Sequence, residues 1–190
     1  SRKMNLPAEI HSQKTKQLFW LLFGLTVLTI IGMQVTGKPL ITEVAPGGIV
    51  TFELVGTLVG SQSIINSWQG PSMTWAGINM GLDFLFLFLY GVTISLGCLI
   101  LADRMPKNPQ ILKTLGRWLA LGVLIAAGLD VVENISLILL LTGSENEVLP
   151  VLARWCAIPK FGLVLLSLLY IVGGGVRELM NRMSLSGETA

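Results

Sequence analysis

Four long apolar runs dominate this chain, at residues 17–37, 81–102, 118–142 and 151–175. Each holds about the 20 residues that an α-helix needs to cross a hydrocarbon core of ~30 Å. Lipid offers no partners to backbone N–H and C=O groups, so segments of this length satisfy those groups best as helices. The expected fold is an all-α membrane protein: a four-transmembrane-helix bundle in one domain, residues 1–190. Composition agrees, since 13% of residues are charged against about 25% in an ordinary soluble domain. A water-soluble surface could not be built from so few polar groups.

The charges between the runs predict how the bundle is oriented. Arg2, Lys3, Lys14 and Lys16 precede span one, and Arg104, Lys107, Lys113 and Arg117 separate spans two and three. Arg177 and Arg182 follow span four, whereas the two loops on the opposite side hold a single base, Lys38. Lys and Arg in short loops stay cytoplasmic. Both termini are therefore expected inside, with span one an uncleaved anchor rather than a signal peptide. The bases report topology, and no nucleic-acid partner is expected.

The loop 38–80 is too long for a plain connection. Its alternating 49–55 segment suggests a strand, with Val50, Phe52 and Leu54 on one face and Thr51 and Glu53 on the other. Residues 58–68 read as a short helix, and Trp68 and Trp75 suit the outer membrane interface. Together these elements predict a small extracytoplasmic cap between spans one and two. The eight-residue turn 143–150 makes spans three and four antiparallel neighbours. Small residues four apart, Gly91 with Ser95 and Gly122 with Ala126, permit close helix approach. Gly173, Gly174 and Gly175 read as a helix stop.

Polar groups within the spans are expensive and need a reason. Counted at 1.5 Å per residue, Asp83 and Arg154 fall at a shallow outer level. Tyr90, Glu133 and Lys160 fall about 14 Å down, with Asp130 one turn deeper. Asp130, Glu133 and Asn134 stand at i, i+3 and i+4 and share a face. Pro159 removes a backbone donor beside Lys160 and loosens the helix there. Two ion pairs are expected, Glu133–Lys160 and Asp83–Arg154, leaving Asp130 without a base.

Other chemistry is excluded by what is lacking. The single His11 precedes span one, so no histidine triad or haem ligand can form within the spans. Cys98 and Cys156 lie at different depths, too far apart for a disulfide, and they form no zinc pattern. No cofactor and no metal site are expected.

The segment 84–101, the run Leu129-Asp130-Val131-Val132-Glu133-Asn134, the Arg154 to Lys160 stretch and Phe52-Glu53-Leu54 resemble a group of uncharacterised bacterial four-helix inner-membrane proteins. That group carries an Asp-x-x-Glu-Asn pattern in one span and a strand-like Phe-Glu-Leu segment after the first. The resemblance implies the fold and a bacterial plasma membrane, and it implies no activity.

The functional expectation is a polar, outward-facing intramembrane pocket built from Asp130, Glu133, Asn134, Lys160, Tyr90, Asp83 and Arg154. Such a pocket suits a membrane lipid or small amphiphile, with Lys160 drawing an anionic head, or an accessory role beside a partner membrane protein or a second copy. Two alternatives stay open. One is an intramembrane lipid-modifying enzyme with Asp130 or Glu133 as acid/base. The other is a small proton- or ion-coupled transporter component.

Overall fold

A computed structural model describes residues 13–105 and 110–187. The expectations placed on Arg2, Lys3, His11 and Lys107, and on the Arg182 side chain, lie outside the described residues. Among the described residues six α-helices follow one another: α1 (Gln13–Gly37), α2 (Ile49–Leu54), α3 (Leu58–Ser67), α4 (Pro71–Arg104), α5 (Gln110–Leu141) and α6 (Val148–Gly187). A single 3₁₀ turn, Lys38–Leu40, links α1 to the cap. Helices α1, α4, α5 and α6 are each long and apolar enough to cross a membrane. The chain is thus an all-α, four-helix membrane bundle, with no strand among the described residues.

Helix α4 is the spine. It packs along α1 on one side and α5 on the other, and it also touches α6. Helices α5 and α6 pair closely, as their short connection predicts. A Cβ on Gly91 would meet the Ala127 Cβ at 3.1 Å, and one on Gly122 would meet Leu163 at 3.2 Å. The small residues therefore do allow close approach. Helix α1 rests chiefly on α4, and its Phe19 comes near Ile171 of α6 beside Gly97. Polar contacts hold it there. The Asn79 amide donates to the Met33 carbonyl at 2.9 Å and to Thr36 Oγ1 at 2.7 Å. The Thr26 and Thr93 hydroxyls meet at 3.1 Å.

Three expectations about the elements need correcting. The 49–55 segment is a helix, not a strand. Glycines at positive φ bracket it, Gly48 at 59° and Gly56 at 68°, and no neighbouring strand is present to pair its backbone. Consecutive residues Phe52 and Glu53 are both buried while Val50 and Leu54 are exposed, so the alternation did not mark an inward face. The second span begins well before residue 81, because Pro71 occupies the first turn of α4 behind Gly70, which takes φ 58°. The cap is accordingly residues 38–70. Gly173–Gly175 do not stop α6, which runs on to Gly187. A Cβ at Gly174 would strike Leu101 and Met105, so this glycine serves close packing against α4.

The cap folds around Trp68, which is buried rather than interfacial. Its indole Nε1 donates to the Leu40 carbonyl at 2.8 Å, and its ring meets Phe52 edge-on, with centroids 5.3 Å apart. Thr57 caps α3 by accepting from the Gly60 N–H. Leu40, Phe52, Ile64 and Trp68 pack against Met80, Leu137, Leu140 and Ala153 at one end of the bundle. The cap is therefore part of the hydrophobic core. That packing carries α2 inward and brings Glu53 to the bundle interior.

Candidate functional site

Starting α4 at Pro71 changes the depth of Asp83. It lies twelve residues into α4, and Lys160 lies twelve residues into α6. Both are thus about 18 Å from the cap-side ends of their helices. Asp83 therefore joins the depth of Lys160, while Arg154 stays nearer the cap. Asp130 and Glu133 on α5 reach the same zone, and α2 delivers Glu53 from above.

Lys160 is the centre of this zone. Its Nζ lies 2.8 Å from Glu133 Oε2, 3.0 Å from Asp130 Oδ1 and 3.8 Å from Glu53 Oε2. The Glu133 pair stands as expected. The idea that Asp130 lacks a base does not, because a flexible lysine stem spans the one-turn difference between the two carboxyls. The other Asp130 oxygen accepts a hydrogen bond from Tyr90 Oη at 2.9 Å. Asp130, Glu133 and Asn134 are all buried on one face of α5, as their spacing requires.

Asp83 and Arg154 do not pair. Arg154 is exposed and runs along Gly56 in the cap, and it lies outside the cleft described below. It is six residues from Lys160, so the two side chains leave α6 about 120° apart. Asp83 instead faces Asn134 across the α4–α5 contact. The Asn134 Nδ2 and Oδ1 complete no hydrogen bond.

Glu53 is the residue that sequence reasoning left out of the site. Its carboxyl approaches Glu133 as well as Lys160. Burial pushes its pKa well above the usual carboxylate range. Lys160 opposes this, and Glu133, Asp83 and Asp130 add to it. The available signal was a carboxylate in a short apolar segment between glycines.

These residues border a partly open cleft of about 500 Å³, a size ordinary for a small-molecule site. Helix α1 forms one wall with Phe23, Val27 and Ile30, and α6 forms the other with Phe161, Val164 and Leu168. The floor is α4, and Gly47–Val50 and Glu53 of the cap reach over it. Asp83, Tyr90, Asp130 and Lys160 line the cleft, whereas Glu133 and Asn134 sit behind it. Among the described residues no grouping of His, Cys, Asp and Glu suits a metal ion. Both cysteines are buried and free. No family model, curated protein or solved structure matches the chain.

Proposed function

We propose that this multi-pass membrane protein binds a lipid or small amphiphile in the cleft between α1 and α6. The apolar walls take the hydrocarbon chain, and the Asp83–Tyr90–Asp130–Lys160 zone takes the head. The observation that carries this reading is the cleft itself: one continuous hollow whose lining changes from apolar to charged. The resemblance to bacterial four-helix inner-membrane proteins supports a bacterial plasma membrane as its location. Its loop bases favour cytoplasmic termini and a cap on the outer side.

Native mass spectrometry of the detergent-purified protein tests the reading. Wild type is expected to retain an amphiphile, and Val164→Trp, which fills the cleft, is expected to lose it with the fold intact. Equal retention by both would refute the assignment.

A lipid-modifying activity at the same place is the second reading. It is favoured by the Tyr90–Asp130–Lys160 chain of hydrogen bonds at the cleft wall, an arrangement able to move a proton. Mass spectrometry of lipids incubated with wild type and Tyr90→Phe would reveal a product that only the wild type makes.

A further inference from the structure

The groups facing the cleft are unusually one-sided in their hydrogen-bonding capacity. Asn79, Asp83, Phe86 and Tyr90 stand at i, i+4, i+7 and i+11 on α4, so they form one stripe, and all four line the cleft. The donors of this stripe and of Lys160 are already engaged. The Asn79 amide nitrogen bonds to α1, and the Tyr90 hydroxyl bonds to Asp130. Lys160 is held by three carboxyls. Three acidic neighbours around one positive charge leave it little excess attraction for an anionic guest.

The acceptors are not committed. Asn79 Oδ1 has no hydrogen-bond partner, although the residue is only 2% exposed. Asp83 makes no ion pair among the described residues, and the charged groups acting on it are Asp130 and Lys160. Four carboxyls, those of Glu53, Asp83, Asp130 and Glu133, gather around one ammonium. The Phe86 and Tyr90 rings line the same cleft, with centroids 5.0 Å apart and planes tilted by 49°. Aromatic faces attract cations. A phosphate or carboxylate head seated against the α4 stripe would meet neighbouring carboxylates, and the donors left to the cleft, Gln34 and Lys38, stand at its α1 side, which argues against an anionic head at the Lys160 end.

We infer that the cleft selects amphiphiles with an ammonium head, seated between Asp83, Asn79 Oδ1 and the Phe86–Tyr90 rings. This rests on the amphiphile-binding reading and adds the sign of the head group. The source is either an amine-headed lipid or a free alkylamine, which share this chemistry.

The test compares three twelve-carbon probes on the purified full chain: dodecylammonium, dodecanol and dodecanoate. The ammonium probe is expected to bind at least about tenfold more tightly than the other two. Asp83→Asn is expected to erase that preference. Phe86→Leu, which leaves the carboxyls intact, is expected to weaken the ammonium probe severalfold and leave dodecanol unchanged. It decides the matter should Asp83→Asn fail to fold. Equal binding of all three probes overturns the ammonium assignment while sparing the amphiphile reading. Binding of none overturns both. In nanodiscs, competition by phosphatidylethanolamine but not phosphatidylglycerol upholds the assignment with a lipid source. Competition by neither, with the probe preference kept, upholds it with a free amine.

Discussion

Lys160 of α6 and Glu53 of α2 approach to 3.8 Å, although one belongs to a spanning helix and the other to the cap. The contact ties the cap to the charged interior. It also means that the polar groups of the bundle form one electrostatic unit, in which removing one member alters the environment of all the others.

Removal of the central base should therefore be the most damaging single change. Lys160→Ala strands carboxylates in a buried site, and breaking a buried pair in this way costs about 3–5 kcal/mol. The double variant Lys160→Ala with Glu133→Gln is expected to recover part of the loss, because one stranded charge is gone. Thermal unfolding in detergent measures both. Identical melting temperatures for the single and double variants would mean the pair contributes nothing.

Glu53 gives the stability a definite dependence on pH. Its pKa is raised in the folded state, so the folded chain holds the proton more tightly than the unfolded chain. The stabilisation is complete below the ordinary carboxylate value of 4.5 and is lost as pH rises towards the folded value. Glu53→Gln keeps a neutral side chain at every pH. As pH rises above 4.5 the wild type should lose stability relative to this variant, by at most about 1.4 kcal/mol per pH unit. A constant difference across that range would contradict the assignment.

The cap should depend on the indole N–H of Trp68 as well as on its bulk. Trp68→Phe leaves the buried Leu40 carbonyl without its donor, which costs about 1–3 kcal/mol. Trp68→Ala adds a cavity and should cost about 3–5 kcal/mol in all. Hydrogen exchange offers a local readout. Amides of residues 38–70 should lose protection in both variants, and those in the middle of α5 should keep it.

Gly116 supports the far end of the α5–α6 contact. A Cβ there would strike the Tyr170 ring and hydroxyl, and that hydroxyl donates to the Leu112 carbonyl at 3.0 Å. Gly116→Ala should destabilise by about 1–3 kcal/mol through overpacking. Tyr170→Phe in the same background should relieve little, because the ring itself is in the way. Full rescue by Tyr170→Phe would show that the hydroxyl alone is the obstacle.

The spanning helices were legible because lipid imposes one backbone solution on long apolar runs, and the shared face of Asp130, Glu133 and Asn134 followed from helical spacing. Three things could not be read this way. The start of α4 was hidden because Asn79 and the glycines around it lower the hydropathy just where the helix is already formed. The cap helix was hidden because six residues with a two-residue alternation fit a strand as well as a helix, and burial of Phe52 and Glu53 side by side depends on tertiary packing. The partner of Asp130 was missed because counting residues along helix axes ignores the reach of a lysine side chain. That same error of depth paired Asp83 with Arg154, which α6 turns towards the cap surface.

The position of the cleft between two spanning helices, α1 and α6, has a kinetic consequence. A guest of the proposed kind would enter such a hollow sideways, from within the leaflet. A guest using that doorway never passes through water, so its supply is set by its mole fraction in the bilayer and not by its aqueous solubility. Even a scarce, nearly insoluble compound could then reach its seat by two-dimensional diffusion.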